Sequence, residues 1–246
     1  IFSGGIRYLC GTLESYGNVN TADSLTAIRK LVYEQKLIGW RELLCALDVD
    51  FKGYLLLQKK LKNCPKFGND QEEADSMMKD LHRFVCLTAK SQAKRVGLDS
   101  YLVVVINNSA NTTLGLLTGA GADGRKACMP MANANSPQAG ADRNGVTAVL
   151  NSMLRIDTDI HAGAVQNIKF SKETFNDSRS AAVKVIESYF ERGGAQLMIT
   201  VVGREDLENA LKRPQDYMGL LVRVGGFSAR FVELSKEVQG EILSRS

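Results

Sequence analysis

The sequence predicts an α/β fold, and three observations carry that expectation. The stretch Tyr101-Leu102-Val103-Val104-Val105-Ile106 is a continuous, β-branched apolar run bounded by Asp99-Ser100 and Asn107-Asn108, as a strand buried on both faces would be. In the second half, strand-like and helix-like segments alternate, which favours strands with helical crossovers over a bundle or a sandwich. Turn punctuation separates them: Gly193-Gly194, Pro214 and Gly225-Gly226 each stop a periodic segment. No repeat of fixed period is visible.

Taken in order, residues 1–20 read as loop, with Gly4, Gly5, Gly11 and Gly17 among polar and aromatic residues. Asn20 or Thr21 is the expected cap of a helix whose Ala22, Leu25, Ile28, Leu31 and Val32 recur at helical spacing, ending near Lys36. From Trp40 to Lys62 two short helices flank Asp48-Val49-Asp50. The break Pro65-Lys66-Phe67-Gly68-Asn69-Asp70 then offers Asn69 or Asp70 as cap of a long helix with Ala74, Met77, Met78, Leu81, Phe84, Val85 and Thr88 on one side. His82 and Cys86 beside that stripe read as core filler.

After the strand at 101–106 comes a glycine- and proline-rich segment, residues 109–144, expected to be irregular; an irregular stretch of that length inside a domain is usually functional or disordered. A helix over Val146 to Leu154 follows, then an alternating strand from Ala164 to Phe170 and a helix capped by Ser171 that carries Ala181, Val185, Ile186 and Tyr189. Gln196 to Val202 is the next strand, Arg204 to Lys212 a short helix, and Lys236 to Ser244 a final amphipathic helix with Ser235 as its cap.

Composition bounds the function. The chain of 246 residues is 44% hydrophobic and 24% charged, ordinary for a globular protein. Its net charge of +4 is too balanced to imply a nucleic-acid partner, and the Lys59-Lys60-Leu61-Lys62 cluster reads as a solvated helix face. No apolar run approaches the roughly 20 residues of a membrane helix and no secretion signal appears, so no membrane partner and a cytoplasmic location are expected. Cys10, Cys45, Cys64, Cys86 and Cys128 are scattered and odd in number, reading as reduced thiols. His82 and His161 have no zinc-site spacing, so no metal ligand is assigned. Gly119 to Lys126 superficially suggests a phosphate loop but lacks the Gly-Lys-Ser/Thr ending, and no nucleotide or other cofactor is assigned to it.

The chain is organised around Leu220-Leu221-Val222-Arg223-Val224-Gly225-Gly226-Phe227-Ser228-Ala229-Arg230-Phe231, a strand that delivers bare backbone into a turn. Its Arg223-Val224-Gly225-Gly226-Phe227 pattern, with Phe231, Leu234 and a final helix, resembles the radical-bearing segment of the glycyl radical enzymes, the pyruvate formate-lyase family with its dehydratase, decarboxylase and C–S lyase members. Asp123-Gly124-Arg125 and Asn144-Gly145-Val146-Thr147-Ala148 strengthen the resemblance, which extends over essentially the whole chain.

The resemblance implies the C-terminal part of a ten-stranded α/β barrel, with residues 1–120 belonging to the barrel domain and 121–246 forming a glycine radical domain. It implies that Gly226, which directly precedes the aromatic residue, stores a backbone radical; Phe227 stands where the family usually has tyrosine. A radical at a backbone α-carbon is stabilised when the carbon flattens between amide nitrogen and carbonyl, and only glycine lacks a β-carbon to crowd that arrangement. In the family a radical-SAM activating enzyme, using S-adenosylmethionine and a 4Fe-4S cluster, removes the hydrogen, and a cysteine on a Gly-Cys loop then receives the spin and attacks the substrate. None of the five cysteines has that setting, so no catalytic cysteine is assigned.

The chain begins with Ile1 and is therefore expected to be a piece of a longer lyase, homodimeric when full length and without turnover by itself. The alternative is a stand-alone spare-part protein that restores a damaged partner enzyme. The substrate, a small molecule undergoing C–C, C–O or C–S cleavage, stays open. Asn107-Asn108-Ser109-Ala110-Asn111 could face it or could simply be turn residues.

Overall fold

A computed structural model of the chain describes residues 4–107, 109–170 and 178–244. The parallel sheet at its centre has the order β1 (Cys10–Glu14), β2 (Ser100–Val105), β3 (Gly163–Ala164). The buried run at 101–106 becomes β2, the middle strand, with Val103 and Val105 in the core. β1 lies in the stretch expected to be loop. Cys10-Gly11-Thr12-Leu13-Glu14 has little strand character of its own, and it becomes a strand because Cys10 to Glu14 pair in parallel register with Ser100 to Val104. That contact spans 90 positions, so no local pattern reports it.

Helix α1 (Asn18–Ile28) continues through a π-helical turn, Arg29–Glu34, and ends near Lys36 as expected. Its cap differs: Gly17 in the left-handed region (φ 72°) is the N-cap, and Asn20 lies inside the helix, where its side chain serves a distant partner. The pair of short helices is α2 (Trp40–Asp48) and α3 (Leu55–Lys62). The long helix α4 (Glu72–Gln92) is capped by Gln71 rather than Asn69 or Asp70. Asn69 instead bonds the carbonyls of Lys66 and Ala141 and accepts the amide of Arg143, tying the break to residues 141–143.

The segment 109–144 is irregular except for α5 (Ala110–Leu116), a short helix entered through Ser109 at φ 74°. Then come α6 (Gly145–Met153), β4 (Asn167–Lys169), α7 (Arg179–Glu191), β5 (Met198–Thr200) and α8 (Arg204–Lys212). The expected strand at 164–170 divides: Val104 and Val105 pair with Gly163 and Ala164, whereas Asn167 to Lys169 pair with Met198 to Thr200 in a separate two-stranded sheet. Ser171, the expected cap of α7, lies outside the described residues, as does Asn108. The chain closes with an antiparallel hairpin, β6 (Leu221–Arg223) and β7 (Ser228–Arg230), and with α9 (Lys236–Ser244), where the Ser235 hydroxyl accepts the Val238 amide as an N-cap does.

Packing follows the amphipathic patterns. Val19 and Ala22 of α1, Met78 of α4, Val149, Leu150 and Met153 of α6 and Ala182 and Tyr189 of α7 meet in the largest core cluster. Cys86 and Ala89 of α4 pack on Val103 and Val105 of β2. A separate small core, made by Leu207 and Ala210 of α8, Val222, Val224, Phe231, and Val238 and Ile242 of α9, holds the hairpin. No described helix is long and apolar enough to cross a membrane.

Candidate functional site

The glycine pair occupies the bend of the β6–β7 hairpin. Val222 faces Ala229 and Arg223 faces Ser228, and the Val224 amide donates to the Phe227 carbonyl at 3.0 Å, leaving Gly225 and Gly226 as the two-residue loop. Of the pair, Gly226 has the positive φ, 103°, a conformation L-residues rarely adopt. Glycine is thus required at 226 by backbone geometry alone, in addition to anything its chemistry asks.

The two glycines differ in setting. Gly225 is buried with Val222 and Val224, which are 2% exposed, while Gly226 and Phe227 are exposed at the tip. In this chain the base of the hairpin is interior and its tip projects. Leu221 is 58% exposed beside buried Val222, so within this chain one face of the strand is covered.

Several side chains fix the base. The Arg223 guanidinium donates to the Ser228 hydroxyl at 2.9 Å across the hairpin, Phe231 donates its amide to the Leu220 carbonyl at 2.8 Å, and the Gln239 amide of α9 holds the Phe231 carbonyl at 2.8 Å. Buried Asn133 approaches the Val224 carbonyl at 3.5 Å and accepts from Asn167 of β4 at 3.2 Å.

The crossover 119–144 is pinned to the first part of the chain by buried polar groups. The Asn20 side chain donates to Asp123 at 2.7 Å and Gln138 at 2.8 Å and accepts the Ala132 amide at 2.8 Å. Arg125, 8% exposed, donates to the carbonyls of Gly119, Lys126 and Met129. Asn107 donates to the Ala132 carbonyl at 3.1 Å, and Asn111 reaches the Met131 carbonyl and Glu241. The amides after β2 therefore fasten the crossover, with Asn107 Oδ1 left without a partner.

The cysteines do not gather at the hairpin: none belongs to the core that holds it. Cys64 and Cys86 are buried, and burial raises both thiols, Cys86 to about 11, which keeps them protonated and unreactive. Cys10, Cys45 and Cys128 are exposed. A pair the sequence did not suggest is His82 and His161, 79 positions apart, whose Nε2 and Nδ1 lie 2.9 Å from each other. Burial lowers both imidazoles, His82 to about 4, so each is neutral near pH 7 and one must donate to the other. No cluster of three or more metal-ligating side chains occurs among the described residues.

Comparison with known proteins places this arrangement. Residues 1–115 match the family model "Pyruvate formate lyase-like", and residues 131–232, which include the hairpin, match the model "Glycine radical". Trans-4-hydroxy-L-proline dehydratase of Clostridioides difficile is 31% identical over 246 residues, covering 99% of this chain and 31% of its own length. Isethionate sulfite-lyase of Bilophila wadsworthia is 32% identical over 241 residues, with 96% of this chain and 29% of the relative covered. Among solved structures, the B12-independent glycerol dehydratase of Clostridium butyricum in its glycerol-bound form superposes with a TM-score of 0.93 at 34% identity, over 98% of this chain and 31% of that one. The chain thus spans somewhat under a third of the relatives it matches, and its strands and helices are part of a pyruvate formate-lyase-type α/β barrel. With both family models and a fold match over nearly its whole length, the chain belongs to the glycyl radical enzyme superfamily.

Proposed function

We propose that this chain is the radical-storing part of a glycyl radical lyase and that Gly226 carries the radical. The observation that carries the reading is the coincidence of position and geometry: within the span matched by the glycine radical model, Gly226 sits at positive φ in the bend of a hairpin whose base has its own packed core. A two-residue bend on a fixed base is suited to holding one α-carbon in place. Removal of one hydrogen atom from that carbon leaves a single unpaired electron. A cysteine thiol in the rest of the enzyme would return a hydrogen atom to it and become the thiyl that attacks the substrate.

In this reading residues 1–120 belong to the barrel and 121–246 to the radical domain, and the catalytic cysteine and most of the substrate pocket lie in the two-thirds of the enzyme outside this chain. The activating partner is a radical-SAM enzyme supplying S-adenosylmethionine chemistry at a 4Fe-4S cluster. The intact enzyme is a cytoplasmic homodimer acting on a small organic molecule. Relatives named as a dehydratase, a sulfite-lyase and a decarboxylase support C–O, C–S or C–C cleavage as the reaction class. The spare-part alternative is disfavoured because similarity to full-sized enzymes runs through 99% of the chain, well upstream of the hairpin.

The test is anaerobic activation of the intact enzyme followed by electron paramagnetic resonance. A doublet from the remaining α-hydrogen is expected, lost in Gly226→Ala and kept in Gly225→Ala, whose backbone is not at positive φ. Because Gly226→Ala is also strained at φ 103°, its melting curve is recorded alongside, and signal loss counts only with the fold retained. Survival of the doublet in folded Gly226→Ala would refute the assignment.

A further inference from the structure

A cavity of about 380 Å³ lies where the first part of the chain meets the crossover, within the size range of small-molecule sites. Asp23 of α1, Lys62, Lys66, Arg125, Lys126 and Arg143 line it. No hairpin residue lines it, so its chemistry does not depend on whether Gly226 carries a radical.

The charges around it do not cancel. None of Lys62, Lys66, Lys126 and Arg143 forms an ion pair among the described residues, and Arg125 is satisfied by carbonyl dipoles, not by a carboxylate, so its charge remains. Lys66 is the most telling: its side chain is 8% exposed and Nζ is buried with no acceptor. A buried ammonium without a partner projects a field that water does not screen, and natural proteins seldom leave one uncompensated.

The acids nearby are poorly placed to compensate. Asp123 is engaged by Asn20 and by the Arg125 amide, and Glu241 lies against Asn111. Asp23 is 1% exposed, accepts the Phe67 amide on Oδ1 and leaves Oδ2 without a donor. Burial pushes its carboxyl up to about 7 against the pull of the Lys66 charge, so near neutral pH Asp23 offsets that charge only in part. The cavity is left with an excess of positive charge and with a donor and an acceptor in its walls that lack partners.

We infer that this cavity is an oxyanion-binding site, taking a phosphate, carboxylate or sulfonate group between Lys62, Lys126 and Arg143 at its mouth, over the buried charge of Lys66. The group could come from a small free anion or from an acidic side chain in the remainder of the polypeptide. The chemistry is the same in both cases, and the test separates the sources.

Inorganic phosphate is titrated into the intact enzyme by calorimetry at constant ionic strength set with potassium chloride, which removes general screening as an explanation. For a free anion, saturable binding is expected, weakened about tenfold or more in Lys62→Gln/Arg143→Gln, since one lost charge-assisted hydrogen bond in a partly enclosed site corresponds to roughly that factor. Both residues are exposed in this chain, and a melting curve of the variant recorded alongside separates lost binding from lost fold. For an acidic side chain, phosphate does not bind, and a zero-length carbodiimide couples Lys62 or Lys126 to an Asp or Glu outside residues 1–246, read by peptide mass spectrometry. Phosphate binding unchanged in the variant means an adventitious ion elsewhere and overturns the inference, as does absence of both binding and crosslink.

Discussion

Replacing Asn20 by alanine removes the pin between α1 and the crossover, and its cost can be worked out bond by bond. The side chain is 8% exposed and makes three hydrogen bonds: to the Asp123 carboxylate at 2.7 Å, to Gln138 at 2.8 Å and from the Ala132 amide at 2.8 Å. A bond to a charged acceptor contributes about 1.5–3 kcal/mol and each neutral one about 1 kcal/mol, so the local loss is about 3–5 kcal/mol. An enzyme of several domains does not unfold in one step, so a local probe is the better assay. Hydrogen exchange of the Ala132 amide reads the lost bond directly, because Asn20 is its acceptor. Opening made easier by about 3 kcal/mol or more raises its exchange rate at least about 100-fold. Asn20→Asp is expected to be no better: it keeps an acceptor for Ala132 but sets two carboxylates in contact, which cannot both ionise cheaply. Exchange at Ala132 within about threefold of wild type in Asn20→Ala would refute the reasoning.

Other outcomes rest on the same geometry. In Gly68→Ala a β-carbon would stand 2.2 Å from Pro137 Cγ at a residue with φ 95°, so clash and backbone strain add; a drop in melting temperature of the intact enzyme is expected, and an unchanged melt would contradict the packing of the 65–70 break on the crossover. The Asp23 carboxyl titrates at about 7 when folded against 3.8 as the reference value. Its contribution to stability is therefore full below pH about 4 and is lost as pH rises through about 7, because across that window the unfolded chain releases a proton the folded one keeps. Asp23→Asn is expected to flatten the fall in stability across that window, measured by exchange protection of the Phe67 amide, which Asp23 accepts, at a series of pH values; an unaltered slope would show that Asp23 is not the group responsible. In Tyr189→Phe the hydroxyl that donates to buried Gln166 is lost, at a cost of about 1–2 kcal/mol in the local stability of α7. Exchange protection in that helix equal to wild type would count against it.

What the sequence revealed and what it hid divide along the range of the interactions. β2, α8 and α9 were legible because a β-branched run, a short helix stopped by Pro214 and an amphipathic end are written in consecutive residues. The glycine pair was legible as a turn for the same reason, and its chemistry through resemblance. Cys10–Glu14 was not, since it is a strand only by pairing with residues 90 positions away. The strand at 164–170 divides because β2 captures its first residues and β5 its last, a competition between two sheets that alternation cannot express. Asn20 has the residue type of a cap, but Gly17 already turns the chain at φ 72°, which frees the amide for Asp123. His82 read as filler, and it is buried; its partner His161 comes from the loop before β3, beyond any helical spacing.

The assignment of the radical to Gly226 can be tested at the level of a single peptide bond. In this family oxygen adds to the α-carbon radical and cuts the backbone there. The activated intact enzyme, briefly exposed to air and analysed by intact mass spectrometry, is expected to release a C-terminal piece beginning at Phe227. Up to Ser246 that piece has 246 − 226 = 20 residues. A piece beginning at Gly226 would move the radical to Gly225, and an activated enzyme that stays uncut in air would show that the hairpin is only a turn.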